Sequence, residues 1–430
     1  MSGQSFIIEG GHRIEGTVRP NGNKNAALPL LAATLLTEEE VVLHNVPDIV
    51  DVRVLLELLE SVGATVGWDG KGTVRVQARQ LSEQDPPEAA CKRIRASMLL
   101  AGPLVARRGH VALPPPGGDV IGRRRLDTHV LALSALGAEV QADLRTLDFR
   151  AKDGLVGTHV FLDEASVTGT ENAVMAAALA SGTTVIENAA SEPHVQDLCR
   201  LLVAMGAEIQ GIGTNCLTIF GKSRLGGAEY TLGPDYIEVG SFITLAAVTG
   251  GQLRLLDARP EEHRSTRIAF QKLGLVFEDE GNDIIVPGGQ DLRVAPDLMG
   301  AVPKIEDAPW PGFPADLTSL AVVAATQAEG TVLIFEKMFE SRLFFTDRLA
   351  SMGARLILCD PHRVVVSGKS ELIGQELVSP DIRAGMALVI AALTATGQSV
   401  IQNVQQVDRG YERIDERLAE LGARIERRAT

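Results

Sequence analysis

LCRLLVAMGAEI (198–209) is one of six variants of a single phrase. Leu198, Leu201, Leu202 and Met205 fall at i, i+3, i+4 and i+7, the spacing of one helix face. Gly206 then closes the helix, since a residue without Cβ enters the left-handed region freely. The apolar alternation that follows starts a strand. The other copies are LLELLESVGATV (55–66), VLALSALGAEV (130–140), IAFQKLGLVF (268–277), FTDRLASMGARL (345–356) and IDERLAELGARI (414–425). The repeat length, roughly 70 residues, exceeds the 20–50 residues of solenoid and propeller units. Each copy can carry several strands and helices, so the chain reads as six copies of one α/β unit.

A second helix, small-residue and nearly uncharged, accompanies each copy. The six are AALPLLAATLL (26–36), RASMLLAGPLVA (95–106), ENAVMAAALASG (171–182), IEVGSFITLAAVTG (237–250), DLTSLAVVAATQAEG (316–330) and DIRAGMALVIAALTATG (381–397). Helices apolar on all sides are buried on all sides. Gly, Thr, Ser and Pro interrupt them well short of a membrane span of ~20 apolar residues. A strand follows each: 40–46, 110–113, 183–189, 252–258, 331–337 and 399–404.

At 430 residues, six units divide into two globules of three, with GPDY (233–236) the nearest approach to a linker. A net charge of −14 argues against nucleic acid and anionic membrane as partners. MSGQSFIIEGG has no signal-peptide core. Cys91, Cys199, Cys216 and Cys359 form neither a C-x-x-C pair nor a ligand cluster, which argues against zinc and disulfides. These features point to the cytoplasm.

Several buried helices open on polar residues: Lys24 and Asn25; Arg95; Thr168, Thr170 and Asn172; Glu238; Asp316; Asp381 with Arg383. Helix N-termini favour anions. Capping is an alternative account of Asp316 and Asp381, but not of Lys24 or Arg95, which oppose the helix dipole. PPPGGDVIGRRRLDTH (114–129) is a Gly-hinged loop with a cationic island, Arg123, Arg124 and Arg125, reinforced by Arg107 and Arg108. In an acidic protein it reads as a lid over an anionic substrate. Arg342 in MFESR (338–342) and Arg409 in VDRGYERID (407–415) add forks suited to phosphate or carboxylate. Two globules with such groups on facing ends suggest a cleft closing on polyanions.

NGNKNAALP (21–29), RASMLLAGPLVAR (95–107), PPPGGDVIGRRRLDTH (114–129), FPADLT (313–318), FESR (339–342), DIRA (381–384) and DRGYERI (408–414) together resemble the UDP-N-acetylglucosamine enolpyruvyl transferase family over essentially the whole chain. The resemblance implies an inside-out α/β barrel fold, with two globular domains of three repeated units each. One domain would be 23–233, the other 1–22 plus 234–430, with the active site in the cleft between them. It also implies transfer of enolpyruvyl from phosphoenolpyruvate to the 3-hydroxyl of UDP-N-acetylglucosamine, the first committed step of peptidoglycan synthesis. No metal, cofactor or obligate protein partner is implied, because arginines supply the charge neutralisation.

By the same resemblance Lys24, Arg124 and Arg409 clamp phosphoenolpyruvate, with Asn25 beside them. Arg95, Arg124, Arg125, Leu126, Asp127, Thr128, Ser166, Val167, Asp316 and Met338 line the sugar-nucleotide site. Asp316 accepts the hydroxyl proton, Asp381 and Arg383 assist proton transfer, and Arg342 supports the same site. The chain departs from the family's usual pattern at four positions: Asp119 for a lid Cys, Arg125 for Pro, Glu164 for Lys or Arg, and Tyr236 for Arg. Acid duty at Asp119 requires desolvation and a nearby substrate phosphate to favour the neutral carboxyl. The Asp also rules out a cysteinyl adduct there, so resistance to fosfomycin is expected. Two other readings stay open at this level: an enolpyruvylshikimate phosphate synthase, and a non-catalytic sugar-nucleotide-binding paralogue.

Overall fold

The computed structural model describes residues 3–119 and 121–429. All six repeated phrases contain or complete a helix: Val50–Ser61, Asp127–Ala135, Pro193–Ala204, Arg264–Gln271, Thr346–Ser351 and Ile414–Glu420. The glycine that follows each has positive φ, between 75° at Gly274 and 101° at Gly206 and Gly353. A Cβ there would meet the following carbonyl, so glycine is the inexpensive choice.

The small-residue helices are Lys24–Ala33, Ala101–Arg108, Val167–Ala177, Tyr236–Thr249, Thr318–Gln327 and Ile382–Thr394. The second differs from its expected form. Residues Arg95–Leu100 are a 3-10 turn, and the α-helix begins only at Ala101. Pro103 has no N–H to extend an α-helical ladder back through 99, which suits a break at this point.

The chain divides into two compact units: Gly22–Asp119 with Arg124–Gly233, and Met1–Asn21 with Val120–Arg123 and Pro234–Thr430. Each has its own apolar core. In the second unit the helices Tyr236–Thr249, Thr318–Gln327 and Ile382–Thr394 pack against one another in all three pairings. In the first, Lys24–Ala33, the 95–108 segment and Val167–Ala177 do the same. Helices therefore fill each interior and sheets lie outside. Strands such as Val74–Gln77 and Arg363–Gly368 alternate buried and more exposed residues, as sheets with one wet face do.

There are six sheets among the described residues, one per repeat. In the fifth, Gly330–Phe335 pairs antiparallel with Arg363–Gly368, which pairs with Leu356–Asp360; Lys304–Glu306 adds a parallel edge. The sheets of the first, third and fourth copies repeat this order. In the sixth, Gln4–Glu9 takes the middle place between Gln398–Gln402 and Arg424–Ala429. Gly16–Val18 supplies the parallel edge of the fourth sheet, against Leu253–Leu255. The second sheet has three strands and lacks the parallel edge. No helix of the described residues is long and apolar enough to cross a membrane.

Candidate functional site

In the first unit, Asn23 caps the first buried helix: its Oδ1 accepts the N–H groups of Asn25 at 2.8 Å and Ala26 at 3.2 Å. Lys24 follows, buried, with Nζ 2.9 Å from Asp51 Oδ2. Asp51 is itself buried in the first turn of Val50–Ser61. This ion pair is the counterweight to a cation at a helix start, and sequence reasoning missed it. An acidic residue in a first turn reads simply as a favourable dipole partner.

Arg95 opens the 3-10 turn, and its Nη2 donates to the carbonyls of Arg124 at 2.6 Å and Arg125 at 3.1 Å. Burial, then repulsion from Arg124, pulls its pKa down to about 10 against the attraction of Glu164. Arg125 is exposed and forks onto Asp127, with Nε donating to Oδ2 at 2.8 Å. Leu126 precedes the helix that Asp127 opens. Thr128 Oγ1 donates to Asp163 Oδ1 at 2.7 Å. Ser166 caps Val167–Ala177, accepting the Gly169 N–H at 3.2 Å. Arg95, Arg124, Arg125, Asp127 and Glu164 thus form one charged locality.

Other polar helix starts have structural work. Asn172 accepts the Gly102 N–H at 2.7 Å and donates to the Met98 carbonyl at 2.7 Å and to His129 Nδ1 at 2.8 Å. His129 Nε2 in turn faces Thr168 Oγ1 at 3.1 Å. Thr170 accepts the Ala190 N–H at 2.9 Å. Glu238 accepts from the Asn21 N–H at 3.0 Å and from Arg417 at 2.8 Å. The expectation that these residues face a ligand is corrected: they satisfy buried backbone and side chains. Arg107 and Arg108 are corrected likewise. Arg107 donates to the carbonyls of Leu35 and Ala78, and Arg108 to those of Ser82, Gln84 and His110 and to Asp85. They tie the 78–85 segment down and do not reinforce the loop cations.

The second unit holds a denser group. Asp316, in the 3-10 turn Ala315–Leu317, accepts from Arg342 Nη2 at 2.9 Å and Arg383 Nε at 3.0 Å. Both arginines are buried. Burial opposes their charge, but Asp316 leads the carboxylates that more than offset it, so both titrate above the usual arginine range. Arg383 Nη1 also reaches Tyr411 Oη at 3.4 Å, and that hydroxyl pairs with Ser241 at 2.9 Å. Asp381 caps Ile382–Thr394, accepting the N–H groups of Arg383 at 2.8 Å and Ala384 at 2.9 Å. Capping therefore accounts for Asp381 but not for Asp316. DRGYERI is pinned from behind by Arg427, which donates to Asp408 and Asp415. Arg409 in that motif donates to Gln406 at 3.1 Å.

The loop tip belongs with this second unit. Ser341 N–H donates to the Ile121 carbonyl at 3.1 Å, and Arg123 N–H to Glu340 Oε2 at 3.0 Å. Gly122 has φ +130°, and a Cβ there would collide with the Glu340 carboxylate. Asp119, half-buried, stays with the first unit.

The chain matches the family model for EPSP synthase (3-phosphoshikimate 1-carboxyvinyltransferase) over residues 8–418. A relative from Bradyrhizobium diazoefficiens is 58% identical over 427 residues, 99% of each chain, and is named UDP-N-acetylglucosamine 1-carboxyvinyltransferase. One from Treponema denticola with the same name is 57% identical, covering 98% of each chain. Among solved structures, the enolpyruvyl transferase NikO from Streptomyces tendae aligns over 100% of both chains with a TM-score of 0.88 and 25% identity. An EPSP synthase from Acinetobacter baumannii aligns over 99% of this chain and 100% of its own with a TM-score of 0.74; at 19% identity it speaks for the fold alone.

Proposed function

The chain belongs to the EPSP synthase family and, within it, to the UDP-N-acetylglucosamine 1-carboxyvinyltransferases, and on that premise we propose that it transfers the enolpyruvyl group of phosphoenolpyruvate to the 3-hydroxyl of UDP-N-acetylglucosamine, releasing phosphate. This is the first committed step of peptidoglycan synthesis. The observation that carries the reading is the 58% identity over 99% of each chain with a relative of that name. The shikimate alternative is not favoured.

The roles assigned by residue are ours. Asp316 is the base that takes the hydroxyl proton as the sugar oxygen attacks C2 of phosphoenolpyruvate. Two guanidinium donors, from Arg342 and Arg383, orient it. Asp119 delivers a proton to the methylene carbon. Lys24, Arg124 and Arg409 hold the phosphate and carboxylate, with Asn25 beside them. Elimination of phosphate with loss of a proton from the new methyl group completes the transfer. Arg95, Arg124 to Thr128, Ser166, Val167 and Met338 contact the sugar nucleotide. Asp381, which also caps its helix, and Arg383 assist proton transfer and help hold the intermediate, with Arg342 supporting the same site.

Purified protein given phosphoenolpyruvate and either UDP-N-acetylglucosamine or shikimate 3-phosphate tests the reading. Phosphate release and an enolpyruvyl product should appear with the sugar nucleotide. Release only with shikimate 3-phosphate, or binding of both substrates without release, would overturn it.

A further inference from the structure

Behind the arginine that grips Asp316 lies a second pair of carboxyl groups, Glu336 and Asp307, both fully buried. They flank the turn after the strand Gly330–Phe335. Glu336 Oε1 accepts the N–H groups of Met338 at 3.2 Å and Phe339 at 3.0 Å. Asp307 accepts the Lys337 N–H, and its Oδ2 accepts the Met338 N–H at 3.3 Å. One N–H, that of Met338, is shared by both carboxyls, which brings them close together. Two carboxylates that close, out of water, do not both stay ionised.

The remaining oxygen of Glu336, Oε2, is 3.4 Å from Arg342 Nε, and neither atom makes a hydrogen bond. The same guanidinium donates through Nη2 to Asp316. Thr318 is the other side chain facing the Glu336 carboxyl, while the His362 ring meets the Glu336 carbonyl at 2.7 Å. Burial, with repulsion from Asp307 and against the pull of Arg342, pushes the Glu336 carboxyl up to about 8.

We propose that Glu336 is a positioning residue for Asp316, and that whether Glu336 carries a proton decides how Arg342 divides its charge between the two. The proposal rests on the reading of Asp316 as the base. While Glu336 holds its proton, Arg342 is committed to Asp316. When Glu336 ionises, Arg342 Nε gains a second carboxylate, the hold on Asp316 loosens, and the base loses its aim.

The test is the pH dependence of kcat in the full-length enzyme. The wild type should lose at least about three-fold in kcat between pH 7 and 9, the signature of an ionisation in the substrate complex. Glu336→Gln keeps the Oε1 acceptor and cannot ionise, so its profile should be flat over that range, with KM for UDP-N-acetylglucosamine within about two-fold of wild type. Asp307→Asn removes a charge that raises Glu336, so the step should move to lower pH. A wild-type profile without the step, or a step unmoved in either variant, overturns the proposal. Infrared difference spectra of the substrate-free protein follow the protonated carboxyl independently of turnover, and its band should titrate near pH 8 and vanish in Glu336→Gln. Turnover without that band refutes the proposal alone. The band with no turnover on either acceptor refutes the functional reading and, with it, the positioning role. Should Glu336→Gln fail to fold, the Asp307→Asn shift and the wild-type band decide.

Discussion

Asp51→Ala removes the carboxylate paired with Lys24 and separates the two duties that a buried lysine can have. The Lys24 and Asp51 side chains are 8% and 5% exposed, with N to O at 2.9 Å. Removing one partner of such a buried pair costs about 3–5 kcal/mol, because a buried charge loses a close opposite charge and gains no water in its place. Shedding the proton is no escape: at pH 7 that costs an ordinary lysine about 4.6 kcal/mol. A unit of roughly 200 residues loses about 2–4 °C of melting temperature per kcal/mol, so a fall of about 6–20 °C is expected. Trp68 lies in this unit and Trp310 in the other, and they are the chain's two tryptophans. Thermal unfolding followed by fluorescence in a Trp310→Phe background therefore reports the unit that Asp51 supports. The double variant Lys24→Met with Asp51→Leu should regain most of the loss, since apolar replacement of a buried pair is often neutral. It should not regain turnover, which needs the ammonium. A fall below about 2 °C for Asp51→Ala would mean that water reaches the pair, and the argument from burial would fail.

Asp316→Asn keeps the side chain's shape but not its basicity; turnover should drop about 10²–10⁴-fold while calorimetry still shows UDP-N-acetylglucosamine binding, and equal losses in both would make Asp316 an anchor instead. The unmodified protein should resist fosfomycin, whereas Asp119→Cys should gain time-dependent inactivation and a one-inhibitor mass shift on the peptide carrying residue 119, because a thiolate attacks an epoxide far more readily than a carboxylate does. Gly122→Ala puts a Cβ into the Glu340 carboxylate at φ +130°, so limited proteolysis within 114–129 should speed up with little change in global melting. Burial, then repulsion from Arg95, pushes the His129 ring down to about 3 from 6.5. Between those values the unfolded chain binds more protons, so stability should fall as pH drops from about 6.5 toward 3, and His129→Asn should flatten that part of a pH–melting curve.

The repeat was legible because its signal is local. A four-residue apolar spacing and a closing glycine sit within a dozen positions, and all six glycines took the backbone they were chosen for. The buried helices were legible from composition. The parallel edge strands were not, since Gly16–Val18 and Ala228–Thr231 join sheets built mostly of distant residues. The site was legible where a residue type is odd for its setting, as Asp316 and Arg342 are. Asp51, Asp163, Asp307 and Glu336 escaped because each looks ordinary in its own segment. Only through-space neighbours give them meaning, and one chain without structure shows no neighbours. The same blindness made Arg107, Arg108 and Asn172 look like ligand-facing groups.

The strand Gln4–Glu9 sits between Gln398–Gln402 and Arg424–Ala429, and this has a consequence for biosynthesis. This strand is made about 390–420 residues before the two strands it pairs with. At about 5–20 residues per second it waits on the order of 20–80 s. During that interval residues 22–233 emerge in full and can collapse around their own three helices. The waiting strand, with Phe6 and Ile8 destined for the core, is then an unpaired apolar segment. A ribosome stalled near residue 290 should present a protease-resistant first unit with a cleavable 3–21 segment beside it.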